Sequence, residues 1–133
     1  MNTERIAFLH PYNPSDDESP LLSFDCDEIP VVLDFHFKVF MLDLKDDEPI
    51  SLQNRLFRID GEKITPICDP KSILIKVKDT QGKPNEVMAS IKLTFEKCKF
   101  IEEGTYFIES SFIKNAEMIN SNRAYFKVSK TNE

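Results

Sequence analysis

The sequence predicts an all-β domain built as a two-sheet sandwich, and three observations carry that prediction. Apolar and polar residues alternate with period two over several long stretches, the mark of strands that bury one face. Turn-forming residues interrupt those stretches at short intervals. No stretch holds a helical period: Ile113 to Asn120 offers one turn around Ala116-Glu117-Met118, too short for a helix. At 133 residues the chain suits a single domain spanning 1–133, long enough to bury roughly two-thirds of its unfolded surface. Eleven phenylalanines, no tryptophan and only three glycines predict a well-filled core with few glycine turns.

Taken in order, residues 4–10 form a short first strand with Ile6 and Phe8 on one side and Arg5 and Ala7 on the other. Pro11 to Pro20 reads as a loop, because prolines withhold ladder donors while Asn, Asp and Ser favour turns. Leu22 and Phe24 alternate with Ser23 and Asp25 as a short edge segment, so residues 11–30 are loop-rich overall. The strongest strand covers 31–42: Leu33, Phe35, Phe37, Val39 and Met41 share one face, and Asp34, His36 and Lys38 the other. Phe40 and Leu42 break that polar face.

Residues 43–49 are a polar connection, and 55–60 a strand ended by the Asp60-Gly61 turn signal. Ile64 to Pro70, with Pro66 and Pro70, is irregular or an edge. Over 72–79, Ile73, Ile75 and Val77 point inward and Lys76 and Lys78 outward; Thr80 to Pro84 turns the chain. Val87, Ala89, Ile91, Leu93 and Phe95 then line the inner face of a long strand. Next, Tyr106, Ile108, Ser110 and Phe112 take one side and Phe107, Glu109, Ser111 and Ile113 the other. A last strand over 124–128 buries Phe126 and Val128, leaving 129–133 as a frayed tail. The total is about seven strands.

The stretch Glu102-Glu103-Gly104-Thr105-Tyr106-Phe107-Ile108 is the most specific feature of the chain. In immunoglobulin-type sandwiches a tyrosine near the start of the penultimate strand bonds back to backbone a few residues upstream and pins the crossover between sheets. With Ile73-Leu74-Ile75-Lys76-Val77-Lys78-Asp79 and Gln81-Gly82-Lys83 before it, the region 72–128 resembles small bacterial and phage immunoglobulin-like sandwich proteins of uncharacterised function. The resemblance implies an immunoglobulin-like, Greek-key fold, and it suggests a part in bacterial or phage host conflict. Antibody-type domains carry two core cysteines and a core tryptophan. Here Ile108 stands where the second cysteine would be and tryptophan is absent, so the disulfide-bearing branch is excluded.

Charge and cysteine usage narrow the function classes. The formal charge is −6, with fifteen acids against six bases in residues 1–70 and seven bases against three acids in 71–101. An acidic chain is a poor nucleic-acid binder, since phosphate neutralisation by Lys and Arg supplies most of that affinity. Cys26, Cys68 and Cys98 are odd in number and widely spaced, which favours a reduced, cytoplasmic setting. No segment is apolar enough to serve as a signal peptide or to cross a bilayer as a helix, so no membrane partner is expected.

Candidate chemistry is sparse. Nucleophilic catalysis needs a base beside Ser or Cys, and only His10 and His36 are available, neither in a nucleophile motif. His36 reads as a solvent-facing or intersheet histidine and His10 as a strand end; no catalytic residue, cofactor or zinc site is expected. The acids at 16–18, 25–28 and 43–48 could converge at one end of a sandwich as a calcium-type or small-ligand site, although acidic loops usually serve solubility alone. Lys76, Lys78 and Lys92 are expected on the outer face of two adjacent strands, with Lys97 and Lys99 near the corner, as weak anion contacts or a solvated face. Phe40, Leu42, Phe107 and Ile113 are apolar where alternation predicts solvent. They mark either a binding surface or strand ends covered by loops. The function expected is a noncatalytic protein-binding or adaptor module, acting through an edge strand, a surface patch or self-association.

Overall fold

The computed structural model describes residues 2–131 and contains nine strands. They are β1 (Arg5–Pro11), β2 (Ser23–Cys26), β3 (Val31–Leu44), β4 (Ile50–Asp60), β5 (Lys63–Pro66), β6 (Lys71–Ile75), β7 (Val87–Phe100), β8 (Gly104–Lys114) and β9 (Glu117–Lys130). Three form a narrow sheet in the order β1-β3-β7; the other six form a wide sheet in the order β2-β9-β8-β4-β5, with β6 also paired to β4. The two sheets pack face to face as a β-sandwich.

The strand count exceeds the predicted seven because two short strands lie in segments that read as loop or edge. Ser23–Cys26 pairs in parallel with the end of β9, which extends that strand to Lys130. Ser129 and Lys130 are thus paired with Asp25 and Cys26 rather than frayed; residues 132–133 fall outside the described residues. Lys63–Pro66 pairs with Asp60–Phe57 across a tight turn at Gly61, whose φ of 62° is what the first residue of a two-residue hairpin of this hand requires. The helix-like turn at Ala116 is instead the tip of the β8–β9 hairpin. Asn115 and Ala116 have φ of 52° and 64°, the left-handed pair that such a tip demands.

Aromatic packing joins the sheets. Phe35 on β3 stacks on Phe126 of β9, with ring centroids 4.9 Å apart, and Tyr106 of β8 meets Phe126 at 5.8 Å and Phe100 of β7 at 5.3 Å. Phe35, Phe37, Val39 and Met41 are buried on the predicted inner face of β3. The tyrosine corner forms: the Tyr106 hydroxyl donates to the Glu102 carbonyl at 2.6 Å. Between them Gly104 has φ 144°, a conformation that L side chains rarely adopt. One polar pair sits within the wide sheet's inner face: the Ser110 hydroxyl donates to Asn54 Oδ1 at 2.6 Å, and Asn54 Nδ2 donates to the Lys71 carbonyl at 3.1 Å. Buried polar atoms are tolerated when bonded in this way.

Bulges alter two strands. The β1–β3 register slips between Ile6 and Phe8, so Ile6 and Leu9 face the core and Phe8, expected on the same side as Ile6, turns out to solvent. In β7, Lys97 has φ 51° and the register to β3 slips between Leu33 and Phe35; Cys98 and Phe100 therefore continue the inner face begun by Leu93 and Phe95. Side chains complete the backbone pairing at both edges of the narrow sheet. The Ile6 amide donates to Asn120 Oδ1 at 2.7 Å, and Asn122 Nδ2 donates to the Ile6 carbonyl at 3.3 Å, so β9 closes the edge of β1. On β7 the Lys71 amino group donates to the Thr94 carbonyl at 2.5 Å.

Candidate binding surface

The outer face of the narrow sheet carries a row of exposed and half-buried apolar residues. Phe8, turned outward by its bulge and 53% exposed, stacks on Phe40 with centroids 4.3 Å apart. His10 lies beside Phe40 at 5.9 Å, and the Lys38 ammonium sits 5.0 Å from the Phe40 ring centre. Leu42, 37% exposed, continues the row along β3, and Met88, 68% exposed, extends it onto β7, where Ala89 pairs with Met41 and Ser90 with Phe40. Arg5, in register with Leu42, stands at the margin. Among the described residues neither Arg5 nor Lys38 is in an ion pair. Phe40 and Leu42 thus lie on an open face, while Phe8 and Met88 are members that sequence reasoning missed. A bulge in a seven-residue strand leaves no trace in alternation, and Met88 read as one outward residue among several polar ones.

Phe107 does not belong to this surface. It points outward from the wide sheet as predicted, yet it is 0% exposed. Phe57 and Tyr125 are its direct neighbours on β4 and β9, at 4.9 and 5.5 Å, and the Arg123 guanidinium covers its ring at 4.4 Å. Ile113 is half-buried on that same sheet, in register with Ser51 and Met118, and is separate from the Phe40 face.

The lysines divide in the same way. Lys76 and Lys78 follow β6 on the wide sheet's side and Lys92 lies on β7 of the narrow sheet, so the single cationic face expected of them does not form. Each is paired with an acid from the first half of the chain. Lys76 and Lys78 hold Asp47 at 3.3 and 3.0 Å, and Lys92 bonds Glu18. Hydrogen bonds from Lys78 and then Lys76 hold the Asp47 carboxyl below its ordinary range. The 43–48 loop makes further contacts of this kind: Asp46 Oδ1 accepts from the Asp79 amide at 2.7 Å, and Glu48 bonds Lys114 at 2.9 Å. Among the described residues no three His, Cys, Asp or Glu side chains converge to hold an ion.

His36 shares a hydrogen bond of 2.9 Å with Thr94, its cross-strand partner, and His10 Nδ1 lies 3.0 Å from the Pro11 carbonyl. His36 also lines an open cleft of about 900 Å³ between the 12–28 segment and the start of β3, together with Tyr12, Phe24, Asp25 and Asp34. No serine, cysteine or carboxylate hydrogen-bonds either imidazole among the described residues. No helix among those residues is long and apolar enough to cross a membrane. Comparison of the chain with models of known protein families and with characterised protein sequences finds no match.

Proposed function

We propose that this chain is a noncatalytic protein-binding module, an immunoglobulin-like sandwich that engages another protein through the outer face of its three-stranded sheet. The observation that carries this reading is the solvent-exposed Phe8–Phe40 stack continued by Leu42 and Met88. Aromatic and methionine side chains are enriched at the cores of protein interfaces, and contiguous apolar patches on a folded domain mark docking sites. The face is favoured over an edge because Asn120 and Asn122 occupy the β1 backbone at its bulge, and the Lys97 bulge and Lys71 interrupt β7. A different protein is favoured over a second copy by charge. Two such faces meeting would bring two copies of Arg5 and Lys38 into one interface, whereas an apolar surface rimmed by carboxylates would complement them. The tyrosine corner supports the immunoglobulin-like, Greek-key assignment, and three unbonded thiols support a cytoplasmic setting. A role in bacterial or phage host conflict is what the resemblance adds.

The test pairs two measurements. Sedimentation of the purified chain is expected to give a monomer. Capture of the tagged chain from its native cells is expected to bring down one stoichiometric protein that is lost with Phe8→Asp and Phe40→Asp while both variants stay folded. A partner retained by both variants, or a dimer that Phe40→Asp dissociates, overturns the reading.

A further inference from the structure

We infer that Cys68 and Cys98 form a site of reversible two-electron oxidation, at which a hydroperoxide converts the two thiols into a disulfide joining the two sheets. This inference stands apart from the binding face and does not depend on it. The two residues are 30 positions apart, yet their sulfurs lie 3.5 Å from each other, with the Cys98 thiol donating to Cys68. Cys68 sits in the short loop between β5 and β6, and Cys98 on the inner face of β7. A disulfide needs a sulfur separation of about 2.05 Å, so the loop has to bring Cys68 inward by only about 1.5 Å.

The two thiols are unequal in ways that suit sequential chemistry. Cys98 is 1% exposed, while Cys68 is half-buried and opens on a shallow pocket of about 460 Å³ that Arg55, Phe57 and Asp69 also line. An oxidant therefore meets Cys68 first. The hydrogen bond from Cys98 lowers the pKa of Cys68, against burial and the nearby Asp69, which act in the opposite direction. That same bond, with burial, pushes Cys98 up, so the proton stays on the inner sulfur. The thiolate is the nucleophile.

In the first step the Cys68 thiolate attacks the distal oxygen of the hydroperoxide. An S–O bond forms, the O–O bond breaks, and the departing oxygen leaves as an alcohol or water after taking a proton; Cys68 becomes a sulfenic acid. In the second step the Cys98 sulfur attacks Cys68, the S–O bond breaks, and water leaves with the Cys98 proton. Each sulfur has then given up one electron, and the peroxide has been reduced by two. The bond ties the β5–β6 loop of the wide sheet to β7 of the narrow one, and closing a loop of this length is expected to raise Tm by about 10 °C.

The test uses the full chain, reduced, freed of reductant and treated with stoichiometric hydrogen peroxide. Intact mass is expected to fall by two hydrogens, and peptide mapping to recover Cys68 joined to Cys98 with Cys26 still free. Tm rises and returns to its starting value with dithiothreitol. Cys26→Ala behaves as the parent chain, and Cys98→Ser stops at a sulfenic acid on Cys68 that dimedone traps. Oxygen gained at Cys68 without a crosslink, a Cys68–Cys68 dimer, or thiols left intact by the peroxide overturns the inference. Should Cys98→Ser fail to fold, the peptide map of the parent chain decides alone.

Discussion

On the wide sheet Phe107 points outward and is fully buried; on the narrow sheet Phe8 points outward and about half of it meets solvent. The difference lies in what stands beside each ring. Phe107 occupies a strand flanked on both sides, and its in-register neighbours Phe57 and Tyr125 close over it with Arg123 above. Phe8 occupies an edge strand, so Phe40 covers it from one side only. An outward aromatic is thus structural or available according to its place in the sheet order, which period-two alternation does not reveal.

The largest expected effect breaks this contrast at its buried end. Phe107→Ala removes a ring packed between Phe57, Tyr125 and Arg123 and should cost about 3–5 kcal/mol in urea denaturation, whereas Phe8→Ser should cost under about 1 kcal/mol. Equal losses would dissolve the distinction between the faces.

A second break concerns Lys114, which joins β8 to the N-terminal segment through Glu4 at 2.8 Å and to Glu48 at 2.9 Å. Burial pushes the Glu4 carboxyl up, but the hydrogen bond and charge of Lys114, with the local backbone amides, outweigh it and leave Glu4 below its ordinary value. Its stabilising contribution is therefore present above the usual carboxylate range and lost as pH falls through the lowered folded value. The Lys114 pKa is raised, chiefly by hydrogen bonds to Glu4 and Glu48, so its contribution holds below the ordinary lysine value and is lost as pH rises through the raised one. Lys114→Met should cost about 2 kcal/mol near neutrality and flatten both limbs of a stability profile against pH. An unchanged acid limb would remove Glu4 from the account.

The smallest effect sharpens the contrast at the corner. Tyr106→Phe deletes the hydroxyl bonded to the Glu102 carbonyl and should cost about 1 kcal/mol by thermal or chemical unfolding, with the outer surface of the narrow sheet untouched. A neutral result would make the corner a packing feature alone.

Much of the fold was legible because burial acts on individual side chains. The inner faces of β3 and β7 and the corner at Tyr106 follow from alternation and one motif. What alternation leaves out is partnership. It places Lys76, Lys78 and Lys92 outward but does not say which sheet each joins, and it gives no hint that the acids preceding them in the chain return to neutralise them. The tip at Asn115-Ala116 lacks the glycine that usually announces such a turn, so its place in the chain was hidden. Cys68 and Cys98 read as unrelated thiols because their meeting depends on the packing of two sheets.

That hairpin has a kinetic side. β8 and β9 pair at eleven register positions around a two-residue tip, so their innermost contacts close short loops. β3 and β7 share no turn; even Leu44 and Val87, the nearest of their partners along the chain, are separated by β4, β5 and β6. Long-range pairing of that kind is slow, since chain entropy is lost before any contact forms. The wide sheet is therefore expected to organise first and the narrow sheet, with Phe8 and Phe40 on its surface, last. High φ-values in β8 and β9 beside values near zero in β7 are the signature of that order, and the reverse distribution would refute it.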